Sequence, residues 1–131
     1  MGVKFEITSL PEYILVTAEG EYDFTEAKRL IGSAYAAAAK LGVSKILIDC
    51  RNMKGTLSAV QRFELGEWVA EHYFRRPATT HTPVAVVGNE PFIDPARLGE
   101  NVAANRWVPV KALTDMQAAL TWLGIDTDDR A

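Results

Sequence analysis

The sequence predicts a small α/β domain built on a mixed, mostly parallel sheet. Three observations predict it. Short apolar runs at Lys45–Asp49 and Val84–Val87 have strand length and are continuous enough for burial on both faces. Longer segments with helical periodicity separate these runs. An alternating stretch at the start supplies a hairpin. Strand–helix alternation of this kind gives crossover connections and parallel pairing.

Residues 3–9 place Val3, Phe5 and Ile7 on one side and Lys4, Glu6 and Thr8 on the other, a half-buried strand. Ser9-Leu10-Pro11-Glu12 is a turn, and Tyr13–Glu19 is the second, more apolar strand of an antiparallel hairpin. Asp23 or Thr25 caps the first helix, with Glu26 in its first turn and Lys40 and Gly42 at its end. Ala27, Leu30, Ile31, Ala34, Tyr35 and Ala38 form its apolar stripe, small enough for close packing. Lys45–Asp49 is a central strand, and Cys50–Leu57 is read as a loop bending at Gly55. Ser58 to about Phe74 is a second helix, with Val60, Phe63, Leu65, Trp68, Val69, Tyr73 and Phe74 available for its apolar side. Arg75–Pro83 is a polar connector, and Val84–Val87 is a strand closed by Gly88. Asn89–Ile93 is a loop. It is followed by a helix over Asp94–Asn105, a strand over Val108–Leu113, and a last helix with a Thr114/Gln117 capping box and Gly124 at its end. The predicted order is β-β-α-β-α-β-α-β-α in one domain, core about 3–124, with residues 125–131 as an acidic tail.

Composition narrows the partners. The 131 residues carry a net charge of -3, which argues against a nucleic-acid face. The single Cys50 forms no internal disulfide and suits a reducing, cytoplasmic setting. The start lacks the apolar run of a signal peptide, and Ala34–Ala39 is far too short to span a bilayer, so no integral membrane segment is expected. There is no cysteine pair, no His-x-x-x-His, no calcium loop, no Gly-x-Ser-x-Gly elbow and no P-loop spacing. His72 and His81 have no positioned nucleophile and read as surface residues. No catalytic residue, metal or cofactor is expected.

Several motifs occur in a telling order: Gly20-Glu21-Tyr22-Asp23 before the first helix, Ile46-Leu47-Ile48-Asp49 with the Arg51–Gly55 loop, Val84-Ala85-Val86-Val87-Gly88, Ala103-Ala104-Asn105-Arg106, and Ala118–Leu123. In this order they resemble the SpoIIAA-like proteins of the STAS (sulfate transporter and anti-sigma factor antagonist) superfamily, over roughly residues 5–124. The resemblance implies a single SpoIIAA-like (STAS-like) domain, a mixed five-stranded sheet with helices packed on it, and regulatory binding rather than catalysis. Some similar domains are grouped with lipid-carrying CRAL-TRIO proteins, which implies an apolar ligand as an alternative. Anti-sigma factor antagonists carry an Asp-Ser-Ser-Gly type motif with a phosphorylated serine. The corresponding place here reads Lys54-Gly55-Thr56-Leu57-Ser58-Ala59, without the acid or the paired serines.

Ser58 and Thr56 are therefore the candidate phosphorylation sites, against the simpler reading that one of them caps the second helix. Asp49, Arg51, Asn52, Asn89 and Arg106 are candidates for a polar ligand pocket at the strand ends, where open α/β sheets bind. The simpler reading is that Asp49 bonds backbone N–H groups. Trp107 beside Arg106 is a candidate partner-binding anchor. Three functions follow: a protein-interaction module, which leads; a carrier or sensor of a small apolar or anionic ligand; and, least favoured, an enzyme using Asp49. The edge of the first hairpin and the alanine-rich first helix are the two surfaces a homodimer would use.

Overall fold

The sheet forms because alternate residues of its strands are apolar toward both faces, and helices cover each face. The computed structural model describes residues 3–55, 57–74, 82–90, 92–93 and 109–125, with only the backbone of residues 72–74. These form β1 (Val3–Ser9), β2 (Ile14–Glu21), α1 (Phe24–Leu41), β3 (Ile46–Lys54), α2 (Ala59–Phe74), β4 (Val84–Val87), β5 (Val110–Leu113) and α3 (Met116–Trp122). The sheet order is β1-β2-β3-β4-β5, with β1 antiparallel to β2 and the other pairs parallel. The described residues hold three helices, one fewer than expected; the helix expected at Asp94–Asn105 lies outside them.

Pleating sends neighbouring residues of one strand to opposite cores. Ile14, Val16, Ala18, Ile46, Ile48 and Val84 pack with Leu30, Ala34, Tyr35 and Ala38 of α1 and Val69 and Ala70 of α2. Leu47, Ala85 and Val87 turn the other way and meet Ala119, Leu123 and Ile125. Ile125, assigned to the tail by the sequence, is thus buried. Asp23 caps α1, its Oδ1 accepting from the Glu26 N–H at 2.8 Å, and Gly42 closes it in the left-handed region at φ 67°.

Three expectations change. The segment Cys50–Lys54 is strand, not loop: β3 continues beside β2, pairing Asn52, Met53 and Lys54 with Glu19, Gly20 and Glu21. The register moves from Thr17↔Asp49 to Glu19↔Asn52, so β3 holds one extra residue, a bulge. Val60 and Phe63 of α2 do not join the core; they are 66% and 43% exposed, because Leu65, Trp68, Val69 and Ala70 face the sheet and α1. The last helix is capped by Asp115, whose carboxylate accepts from the Ala118 N–H, not by a Thr114/Gln117 box.

Candidate functional site

The bulge sets the chemistry at the end of the central strands. Ile48 and Cys50 point into the α1/α2 core, and Met53 rejoins it three residues later, because the bulge shifts the alternation by one residue. Asp49 faces the other way, half-buried, in a cross-strand row Glu6–Thr17–Asp49–Val87. Its Oδ1 accepts from the Arg51 backbone N–H at 3.1 Å and from Arg51 Nε at 2.9 Å, and Oδ2 accepts from Nη2 at 2.9 Å. Asn89, just after β4, donates from Nδ2 to the Arg51 carbonyl at 3.3 Å. The structure therefore joins Asp49, Arg51 and Asn89 in one network.

The network explains the titration of Asp49. Burial pushes its pKa up, but the hydrogen bonds and positive charge of Arg51 outweigh that and hold it below the ordinary value. Such a carboxylate stays ionised near neutral pH, which does not suit a general acid or base. Because the folded pKa is depressed, the stabilisation is present above the ordinary carboxylate pKa and is lost as pH falls through the folded value. Arg51 is half-exposed, so solvent screening keeps the contribution small. We expect Asp49→Asn to cost less than about 1 kcal/mol at pH 7 and to make stability less sensitive to pH below 4. Urea titrations at pH 7 and pH 3 check this; a loss of several kcal/mol at pH 7 would contradict it.

Asn52 goes elsewhere. With Lys4, Glu6, Thr17 and Glu19 it lines a recess of about 320 Å³ on the sheet face that carries α3. Sequence alternation places Lys4 and Glu6 on the side of β1 opposite Val3 and Phe5, and strand pairing brings them beside Asn52. Phe5 and Ala18 complete its lining, so the recess mixes apolar surface with charges of both signs. Among the described residues no group of three His, Cys, Asp or Glu could hold a metal ion. No described helix is long and apolar enough to cross a membrane. Burial and the neighbouring Asp49 charge push the Cys50 thiol up to about 12, so it is no thiolate nucleophile.

Ser58 begins α2. Its Oγ accepts from the Gln61 N–H at 3.2 Å, and Gln61 Oε1 accepts from the Ser58 N–H at 3.1 Å, a reciprocal capping box. Ser-x-x-Gln could have been read from the sequence. The side chain is exposed, one turn from exposed Val60 and Phe63. Thr56, Arg106, Trp107 and His81 lie outside the described residues, as does the side chain of His72.

Solved structures share this arrangement of strands and helices. An anti-sigma factor antagonist from Mycobacterium paratuberculosis matches 94% of this chain and 95% of its own at 17% identity, with a TM-score of 0.59. The anti-sigma factor antagonist SpoIIAA in its unphosphorylated form matches 94% of this chain and 99% of its own at 12% identity, TM-score 0.57. The chain has the SpoIIAA-like fold. The Bacillus cell-fate determinant SpoIIAA in its phosphorylated form is similar too, at 13% identity over 91% of this chain and 98% of its own, TM-score 0.52. No protein-family model and no curated protein matches the sequence. Within the SpoIIAA-like fold, the Asp49–Arg51–Asn89 network sits at the β3 bulge beside the end of β4, and Ser58 at the start of α2.

Proposed function

We propose that this chain is a non-enzymatic, cytoplasmic regulatory module that binds a protein partner through the start of α2. One observation carries the reading. Val60 and Phe63, three residues apart on one helix face, stay exposed while Leu65, Trp68, Val69 and Ala70 find apolar cover. Large apolar side chains grouped on a surface mark interaction sites. Glu64 and Glu67 continue the exposed face, so the partner would offer apolar side chains rimmed by Lys or Arg. The shared fold with anti-sigma factor antagonists supports the same reading.

The test is affinity capture from the host, followed by titration calorimetry with the purified partner. Phe63→Asp and Val60→Asp should each weaken binding at least about tenfold, as loss of an interface anchor does, with an unchanged thermal melt. A partner bound equally well by both variants would remove this surface from consideration.

A second reading has its own observation. Ser58 is exposed at the amino end of a 16-residue helix, where a phosphate gains from free N–H groups and the helix dipole. Intact mass of protein from its host reads this directly. One phosphate lost in Ser58→Ala assigns Ser58, one retained in that variant points to Thr56, and none removes the switch. The carrier reading draws less support: the recess beside Asn52 carries the charges of Lys4, Glu6 and Glu19 and lies on the sheet face opposite α2, which does not suit an apolar ligand.

A further inference from the structure

We propose that β1 is a self-pairing edge, through which two copies of this chain join antiparallel into one continuous sheet. β1 pairs with β2 and with no other described strand. Which of its backbone groups remain outward follows from one bond. The Leu10 N–H donates to the Tyr13 carbonyl at 2.9 Å, and antiparallel pairs alternate between bonded and non-bonded. Thr8, Glu6 and Lys4 therefore turn their N–H and C=O groups toward Leu15, Thr17 and Glu19. Val3, Phe5, Ile7 and Ser9 turn theirs away from the sheet. The other side of β2 agrees: Ile14, opposite Ser9, sends its N–H to the Lys45 carbonyl at 3.0 Å.

This outward edge is a template for another strand unless something blocks it. Arg29 covers part of one end, donating from Nη2 to the Val3 carbonyl while its guanidinium lies 4.9 Å from the Phe5 ring centre. A carbonyl oxygen has a second lone pair, so that contact does not close the edge. Ile7 is 37% exposed and unused by the core.

The side chains select the occupant. A two-fold axis can pass through Phe5, Glu6 or Ile7 and still oppose the outward groups. Centred on Glu6, it sets two Glu6 carboxylates against each other, a repulsive pair. Centred on Ile7, it sets Glu6 against Thr8. Centred on Phe5, it sets Lys4 against Glu6 of the second copy twice, Phe5 against Phe5, and Val3 against the exposed Ile7. Only that register joins opposite charges on the solvent side and apolar residues on the helix side. The second copy of this chain is thus the complementary strand, on a surface distinct from the start of α2.

The experiment is sedimentation analysis of the full chain at low salt, from low to high micromolar concentration. A dimer that forms with concentration and weakens with added salt is expected. Ile7→Pro removes an outward N–H without taking a bond from the β1–β2 ladder, so it should abolish the dimer and leave the circular dichroism spectrum unchanged. Glu6→Lys should weaken association about tenfold or more, and adding Lys4→Glu to it should restore most of the loss. A monomer at every concentration overturns the proposal. So does a dimer indifferent to Ile7→Pro, or a folded charge-swapped double variant that stays as weak as Glu6→Lys.

Discussion

Raising the pH from 9 to 12 is expected to remove much of the protein's stability, and Cys50 is the main reason. The thiol is 1% exposed in the α1/α2 core. Burial first, and then the negative charge of Asp49, raise its pKa from 9.0 to about 12. In the unfolded chain the thiol ionises near its ordinary value. Between those two values the unfolded state has released a proton that the folded state still holds. Stability is therefore full below pH 9 and falls as pH rises toward 12. Three pH units at about 1.4 kcal/mol each give on the order of 4 kcal/mol, a large share of a typical domain's 5–15 kcal/mol. Tyr22 adds to this above pH 10: burial, then the neighbouring Cys50, raise its phenol, while Arg62 acts the other way. Urea unfolding at pH 7.5, 9 and 10.5 separates the two. Wild type should lose about 2 kcal/mol between pH 9 and 10.5, and Cys50→Ala should lose distinctly less over the same range. Equal losses would mean that the thiol is not the alkaline trigger.

The sequence made the fold legible wherever a period survived. The β1 alternation, the α1 stripe and the Val84–Val87 run each matched the observed element to within a residue or two. The second half of β3 was not legible, for a definite reason. Its buried residues Cys50 and Met53 are three apart, because the bulge inserts a residue between them. A period of two is thereby erased, and Asn52 and Lys54 look like loop residues. The α2 error is different. Val60 and Phe63 fit a helical stripe as well as Leu65 and Val69 do, and periodicity alone does not say which stripe is buried. At α3 both Thr114 and Asp115 are good caps, and the choice lies in the entry angle of the chain.

The candidate site was half legible. The ends of the two apolar runs place Asp49, Arg51 and Asn89 near one another in the sequence pattern, and they meet. The reading that Asp49 bonds a backbone N–H holds as well, since it accepts from that of Arg51. The recess around Asn52 was not legible, because it depends on register across three strands. A one-residue slip would put its charged side chains on the opposite face.

Gly55→Ala is expected to cost about 3 kcal/mol, more than the left-handed penalty of about 1 kcal/mol alone. Gly42 supplies the comparison. It sits at φ 67° with nothing within 4 Å of an added Cβ, so Gly42→Ala should cost only the left-handed penalty, about 1 kcal/mol. Gly55 has φ 95°, and an added Cβ would lie 3.2 Å from the Tyr22 carbonyl oxygen and 3.6 Å from its nitrogen. Tyr22 cannot easily retreat. Its N–H donates to the Lys54 carbonyl at 2.9 Å, and its ring meets Phe92 edge to face at 4.6 Å between centres. Strain of about 1–3 kcal/mol therefore adds to displaced packing. Urea denaturation of both variants measures the difference; equal costs would show that the approach to Tyr22 yields freely. Gly55 also stands three residues before Ser58, where the chain leaves β3 for α2. A shift there re-aims the start of α2, so Gly55→Ala should weaken the partner that reads Val60 and Phe63 without touching either residue. Gly42→Ala, at the far end of α1, should leave that affinity unchanged.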